Sequence, residues 1–151
     1  MHSIQRRMVL LFLVLFSAPL FSQTAGKLEI LLNEKELNWS QATAFVLEAA
    51  DVKVQEASPA DLAFSFAAEQ KWLPKNAASG ETARLNGVAL LLMQSFELKG
   101  GLFYRLSKSP HHAYRELVYK NVIRGNTDPD MPVSGQELLL MVSRILSMRG
   151  E

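Results

Sequence analysis

Two adjacent histidines, His111 and His112, could do chemistry because the imidazole ring is a common zinc ligand. Adjacent residues on a helix point about 100° apart, so one metal ion is poorly placed to reach both rings. The chain contains no cysteine, and a zinc site would therefore have to borrow carboxylates. A solvated helix start is the simpler interpretation, and the sequence predicts no metal site and no other cofactor.

Acidic and amide side chains alternate at Asn126, Asp128 and Asp130, as the ligands of a calcium loop can. The loop lacks the central glycine and the closing bidentate glutamate of such sites, so a turn is the favoured interpretation. Nucleophilic catalysis is not indicated, since the chain has no Gly-x-Ser-x-Gly sequence and no cysteine to pair with a histidine. Paired glycosidase carboxylates stay open, but acids such as Glu69 and Glu116 occupy expected helix surfaces. We expect a non-enzymatic protein.

Five residues are candidates for ligand binding. Ser134 and Glu137 form the Ser-x-x-Glu pattern of a capping box, and a helix cap is their simplest role. Arg84, in the first turn of an apolar helix, is either solvated or salt-bridged, or it contacts an anionic ligand. Tyr114 and Arg115 either belong to the core and its surface or line a groove, because aromatic and arginine side chains dominate binding hot spots.

Residues 1–22 have the layout of a secretory signal peptide. Two arginines precede an unbroken apolar run at residues 8–16, which is shorter than the roughly 20 residues needed to span a bilayer. We expect cleavage after Ser22, with Ala25 as the alternative point and an uncleaved anchor as the lesser alternative. The lack of cysteine excludes a lipid-modified N-terminal cysteine and any disulfide. The sequence therefore predicts an exported protein of the periplasm or cell envelope.

Charge argues against nucleic acid as a partner. Removing the two leader arginines from the 16 cationic residues leaves 14 against 15 acidic residues, a formal net charge of −1. Phosphate binding needs clustered positive charge, and here it is spread thinly. Removing 22 of the 151 residues leaves 129, which suits one compact domain.

Apolar stripes at helical spacing predict a mostly α domain of five helices. The expected helix starts are Ser40, Pro59, Ser79, Ser109-Pro110 and Ser134. The second helix should turn Leu62, Phe66 and Ala67 inward, and the third is apolar nearly all round at residues 88–93, as in a central buried helix. Gly100 and Gly125 should end the third and fourth helices. Residues 28–33 could form a short strand or begin a helix, and residues 102–106 could form a brief strand.

The helical pattern repeats along the chain. Residues 114–146 and residues 60–96 both read as helix, turn, helix, and a shift of 50 residues superimposes their first helices. A shift of 51 superimposes the second helices, with the extra residue in the turn. Identities are few, so chance agreement between two amphipathic hairpins is the alternative. The expected organisation is a lead-in at 23–37 followed by a domain at 38–151, with a partial repeat at 38–58 and repeats at 59–108 and 109–148.

The segment IRGNTDPDMPVSGQELLLMVSRIL at residues 123–146 resembles the end of an S-layer homology repeat, in which an Asp and Pro loop leads to a Thr-Arg-x-Glu helix start. The resemblance extends over residues 40–148. It implies helical-hairpin repeats packed as a pseudo-threefold bundle, with anionic cell-wall polysaccharide in the grooves between them. It places Ser134 at the threonine, Gly135 at the arginine and Glu137 at the glutamate.

The earlier copies depart further from that pattern. In the middle copy Arg84 keeps the arginine, whereas Ala83 and Asn86 lose its neighbours. In the first copy Ser40 takes the place of Ala83 and Ser134, and Gln41 follows it. Only one copy thus retains a cation that could pair with an acidic sugar.

The leading expectation is an exported, non-catalytic module for attachment or assembly at the envelope, binding cell-wall polymer. The alternative is a protein–protein scaffold or accessory subunit without glycan binding, which the altered Thr-Arg-x-Glu positions favour. A small envelope hydrolase is the least favoured function. The expected partner is therefore cell-wall polymer or another envelope protein.

Overall fold

The computed structural model describes residues 19–54, 60–125 and 127–150. Over these residues the chain forms seven α-helices, which confirms the mostly α fold, and none of them is long and apolar enough to cross a membrane. The helices are α1 (Pro19–Asn33), α2 (Trp39–Ala49), α3 (Ala60–Glu69), α4 (Leu85–Ser95), α5 (Leu102–Ser107), α6 (Pro110–Tyr119) and α7 (Gly135–Arg149).

The larger helices pack in pairs: α2 against α3, α4 against α6, and α7 against α1. Helix α4 lies at the centre, with nine of its eleven residues buried, as its all-round apolar sequence predicts. It approaches α2 closely at Gly87, where an added Cβ would lie 2.6 Å from the Trp39 ring and 2.7 Å from Pro74. The glycine thus makes room for the tryptophan between the two helices.

Three buried residues join the starts of α2, α4 and α7 in a closed cycle of backbone hydrogen bonds. The N–H of Leu37 donates to the Val133 carbonyl (2.9 Å), Val133 donates to Ala83 (3.1 Å), and Ala83 donates to Leu37 (2.8 Å). All three residues are 0% exposed. Because a buried backbone group without a partner is costly, the cycle is a complete solution: each residue uses both its N–H and its carbonyl.

A second set of hydrogen bonds surrounds this cycle. The first N–H groups of a helix have no partner within the helix, and here the first residue of each joined helix donates to a segment preceding another helix. The donor and acceptor pairs are Trp39 to Glu81, Leu85 to Met131 and Gly135 to Glu34, all at 3.0 Å. Each helix start is therefore held by backbone from a distant part of the chain.

The structure corrects two predicted helix starts. Helix α2 is capped by Asn38 rather than Ser40, because Asn38 and Gln41 form a capping box. Helix α4 is not capped by Ser79, and Arg84 occupies its N-cap position. The Ser79 carbonyl accepts from the Ser40 N–H at 3.0 Å, which commits this segment to the start of α2 and delays α4 until Leu85.

These caps also correct the alignment of the copies. The caps of α4 and α7, Arg84 and Ser134, are 50 residues apart, so the shift of 51 predicted for the second helices is wrong. Ser134 corresponds to Arg84 and Asn38, not to Ala83 and Ser40. A single shift of 50 therefore extends from the first helix of the pair through the turn to the cap.

Both predicted strands are wrong. Residues 28–33 form the end of α1, where the buried Leu31 belongs to the core. Residues 102–106 lie within α5. The inward prediction for Leu62 is also wrong, because this side chain is 48% exposed, whereas Ala67 is buried and Phe66 is half-buried.

Several helices end earlier than glycine predicts. Helix α4 ends at Ser95 and α6 at Tyr119, ahead of Gly100 and Gly125. Each is followed by a left-handed residue, Glu97 (φ 51°) or Asn121 (φ 57°). In both, the next N–H returns to a carbonyl in the last turn, as in a Schellman motif. The backbone stops these helices without the glycine that usually marks such a stop.

Some predicted features lie beyond the description. Residues 1–18, most of the predicted signal peptide, fall outside the described residues, as do Pro59 and Asn126. The predicted cleavage point after Ser22 lies within α1, which packs against α7. The predicted lead-in at 23–37 thus contributes a helix to the bundle, and export stays a prediction.

Candidate functional site

The loop at residues 124–134 connects α6 to α7 and meets four of the five predicted binding residues. Arg84, exposed at the start of α4, donates from Nη1 to the Asp130 carbonyl at 2.8 Å. Its neighbour Asn86 donates from Nδ2 to the Asp130 carboxylate at 3.0 Å. The loop is therefore attached to α4 by side chains as well as by backbone. One face of the Arg84 guanidinium already serves this contact.

Tyr114 fixes the other part of the same loop. Its hydroxyl donates to the Thr127 carbonyl at 2.9 Å and lies 2.9 Å from the Thr127 hydroxyl. The ring is half-buried and packs against the core. Arg115, one residue further along α6, is exposed, and successive helical residues point about 100° apart. The structure therefore separates the pair that was predicted to line one groove.

Ser134 and Glu137 start α7 as the predicted capping box. The Ser134 hydroxyl accepts from the Glu137 N–H at 3.2 Å, and the Glu137 carboxylate accepts from the Ser134 N–H at 2.9 Å. The same carboxylate oxygen accepts from the Ser134 hydroxyl at 3.0 Å. Both side chains are engaged in holding the helix start.

The remaining polar candidates make local contacts. Asp128 accepts from the Asp130 N–H at 2.9 Å, which is a contact within a turn. The Nδ1 atom of His112 lies 2.7 Å from the Ser107 hydroxyl and 3.0 Å from the Ser109 hydroxyl. Ser109 caps α6 ahead of Pro110, as predicted. Within the described ranges, no three His, Asp or Glu side chains are grouped closely enough to hold a metal ion.

The corrected caps change where the family pattern falls. If the cap corresponds to the threonine of Thr-Arg-x-Glu, as assigned at Ser134, the arginine position is occupied by Trp39, Leu85 and Gly135. All three are buried. Arg84 then occupies the threonine position of its copy. No cation stands at the arginine position in any of the three.

A surface that the sequence interpretation missed lies at α5. Beside this helix is an open groove of about 820 Å³, and Trp72, Gln94, Glu97, Lys99, Tyr104, Arg105 and Lys108 are among its lining residues. Tyr104 points inward and is 5% exposed, and its hydroxyl accepts from Gln94 at 2.8 Å. The available signal was the run LFYRLS: helical spacing would place Leu102 and Leu106 on one face and Tyr104 on another.

Tyr104 is expected to ionise late. Burial raises the pKa of its phenol from 10.0 to about 12, while the Gln94 hydrogen bond lowers this pKa and the Glu116 charge raises it. Because the folded pKa exceeds the ordinary one, the stability contributed by neutral Tyr104 is fully present below about pH 10 and is lost as the pH rises through about 12. Absorbance titration of tyrosinate should show one late phase that Tyr104→Phe removes and Tyr119→Phe retains. A late phase that survives in Tyr104→Phe would contradict this assignment.

No family model, no curated protein and no solved structure matches this chain. The proposal of function is therefore supported by the geometry of the chain's own residues.

Proposed function

We propose that this protein is a non-catalytic binding module of the cell envelope that assembles with another envelope protein. In this proposal the pairs α2–α3, α4–α6 and α7–α1 are three copies of one unit, packed as a pseudo-threefold bundle similar to S-layer homology domains. The partner binds at the junctions between copies. The observation that carries the proposal is the hydrogen-bonded cycle of Leu37, Ala83 and Val133.

The cycle supports three equivalent units because it treats its three members alike. Each member directly precedes a helix cap, each donates to one other member and each accepts from the remaining one. The surrounding bonds repeat as well: Glu81 and Met131, 50 residues apart, each accept from the first residue of a joined helix. Repeated units of this kind typically bind through the surfaces that they form together.

The junction residues favour a protein partner over an anionic polymer. A polysaccharide acid is best held by a cation that reaches it in bidentate fashion. At the position where the family pattern has this arginine, the chain carries buried Trp39, Leu85 and Gly135. These residues strengthen the packing between copies and present no charge to a groove.

One observation supports cell-wall polymer as a second candidate. Arg84 is exposed at the junction between α4 and the 124–134 loop, and only its Nη1 is used in a hydrogen bond to Asp130 among the described residues. An acidic sugar could be bound by the rest of the guanidinium. This candidate makes a sharp demand, because its binding must depend on one side chain.

The two candidates separate in paired binding experiments. Purified chain would be sedimented with cell-wall sacculi, and it would also be used to isolate an envelope partner whose dissociation constant is then measured. One exposed residue at each junction would be reversed in charge, as Lys35→Glu, Glu81→Arg and Asp130→Arg, with Lys53→Glu as the control beyond the end of α2.

We expect at least one junction variant to weaken partner binding by about tenfold or more, as loss of an interface contact of about 1.4 kcal/mol would, while Lys53→Glu changes little. Partner binding that is unaffected by all three junction variants would overturn the scaffold proposal. Sedimentation with sacculi that is lost in Arg84→Ala, and kept in Arg115→Ala, would establish the polymer candidate in its place.

A further inference from the structure

Helix α5 presents its apolar side chains to solvent. Leu102, Phe103 and Leu106 are 65%, 73% and 78% exposed, whereas Tyr104 is 5% exposed. A helical period of 3.6 residues places the three exposed side chains together on the side away from Tyr104. A surface helix of a globular protein usually buries its apolar face. Here the buried anchor is a single tyrosine and the larger apolar face is left outside.

Cations surround this apolar face. The groove beside α5 is lined by Lys99, Arg105 and Lys108 and by one acid, Glu97. All three cations are exposed. The nearby acid Glu116 lies closer to the fold, where its carboxylate accepts from the Gly101 N–H at 2.8 Å. The surface therefore combines three apolar side chains with three cations against one free-standing carboxylate of the groove.

The apolar face is held in place rather than carried on a loose loop. The Glu116 contact fixes the start of α5 to α6. At the other end, Ser107 lies 2.7 Å from His112. Between them, the Phe103 ring stacks on the His112 ring with centroids 6.0 Å apart. Little ordering is then needed when the face meets an apolar phase.

We propose that α5 is a membrane-contact element: Leu102, Phe103 and Leu106 enter the interface of an anionic lipid bilayer, and Lys99, Arg105 and Lys108 contact its headgroups. An amphipathic segment binds in this way to a depth of about 5–10 Å, and six helical residues extend about 9 Å. The inference does not depend on the proposed function, because α5 supplies no residue to the cycle that joins the helix starts.

A bilayer fits this surface better than a folded protein. A standard protein interface buries about 800 Å² on each partner, and one short helix with three apolar side chains falls short of that area. A bilayer places no such demand, since apolar insertion and attraction to anionic headgroups add together. The cations at the edge of the apolar face are complementary to negatively charged lipid.

The test uses full-length chain and vesicles of phosphatidylglycerol mixed with phosphatidylcholine, or of phosphatidylcholine alone. Because the sequence has no cysteine, Leu106→Cys can carry a single environment-sensitive dye. We expect a blue shift with anionic vesicles and little with neutral ones. The same dye at Leu62→Cys, an exposed position on α3, should not shift. This comparison separates insertion of α5 from any binding by the N-terminal apolar run.

Two sets of substitutions complete the test. Leu102→Ser with Phe103→Ser and Leu106→Ser should lower vesicle partitioning by more than about tenfold, and glutamine at Lys99, Arg105 or Lys108 should lower it about fivefold per cation at low salt. The substituted side chains are all exposed, so melting should change little. An unshifted dye at position 106, or equal binding to both kinds of vesicle, would overturn the proposal. Failure here with junction-dependent partner binding would leave the proposed function intact.

Discussion

Replacing Gly135 with alanine should lower the free energy of unfolding by about 3 kcal/mol, at the upper end of typical overpacking effects. Gly135 is the first residue of α7, and a Cβ built there would overlap the carbonyl oxygen of Leu31 and lie 2.6 Å from its carbon. Both atoms belong to the α1 backbone, which cannot move aside as a side chain could. The Gly135 N–H also donates to Glu34 at 3.0 Å, so a displacement of the two helices would strain this bond as well.

Urea unfolding of the wild type, Gly135→Ala and Gly80→Ala measures the effect. A Cβ at Gly80 would meet nothing within 4 Å, and this variant should stay within about 0.5 kcal/mol of wild type, as surface substitutions usually do. If Gly135→Ala were as stable as Gly80→Ala, α1 would not pack on α7 as closely as described. The predicted lead-in would then contribute little to the bundle.

Local signals in the sequence predicted the features that local chemistry determines. Ser134 with Glu137, and Ser109 with Pro110, mark helix starts because a cap and its partner lie within one turn of each other. The all-round apolar sequence of α4 marks a central helix because every face of it must be buried. In each case the residues that decide the structure are neighbours along the chain.

Long-range hydrogen bonds explain the failures. Ser79 resembles a helix cap, but its carbonyl is used by Ser40, almost forty residues away, and the segment stays extended until Arg84. No property of residues 79–84 alone announces that acceptor role. The early ends of α4 and α6 have a related cause, because Glu97 and Asn121 adopt left-handed geometry in place of the usual glycine.

The same limit applies to the candidate site. Tyr114 and Arg115 looked alike as groove residues, but Thr127 claims the tyrosine hydroxyl and leaves the arginine exposed. Helix α5 was missed because six residues give barely two turns of periodic signal, and its exposed leucines resemble one face of a strand. Which side chains are left free for a partner depends on contacts that only the folded chain brings together.

Replacing Ala83 with proline should destabilise the fold by about 3 kcal/mol, because it removes one donor from the hydrogen-bonded cycle. The Ala83 N–H donates to the Leu37 carbonyl at 2.8 Å, and both residues are 0% exposed. Without that donor a buried carbonyl is left unpaired, which costs about 1–3 kcal/mol by itself. The proline ring adds crowding where two segments meet. Thermal and urea unfolding would measure the loss.

The chain supplies a matched control in Thr82→Pro. Position 82 corresponds to Pro132, which stands natively one residue before Val133, and the preceding residues Glu81 and Met131 make the same pair of backbone bonds in their loops. The Thr82 N–H makes no backbone bond among those in the described loops, so proline should cost less than about 1 kcal/mol there. Equal losses at 82 and 83 would mean that the two loops are not equivalent. A large loss at 83 alone requires the cycle and the equivalence together, which is the pairing on which the three-unit interpretation of this chain depends.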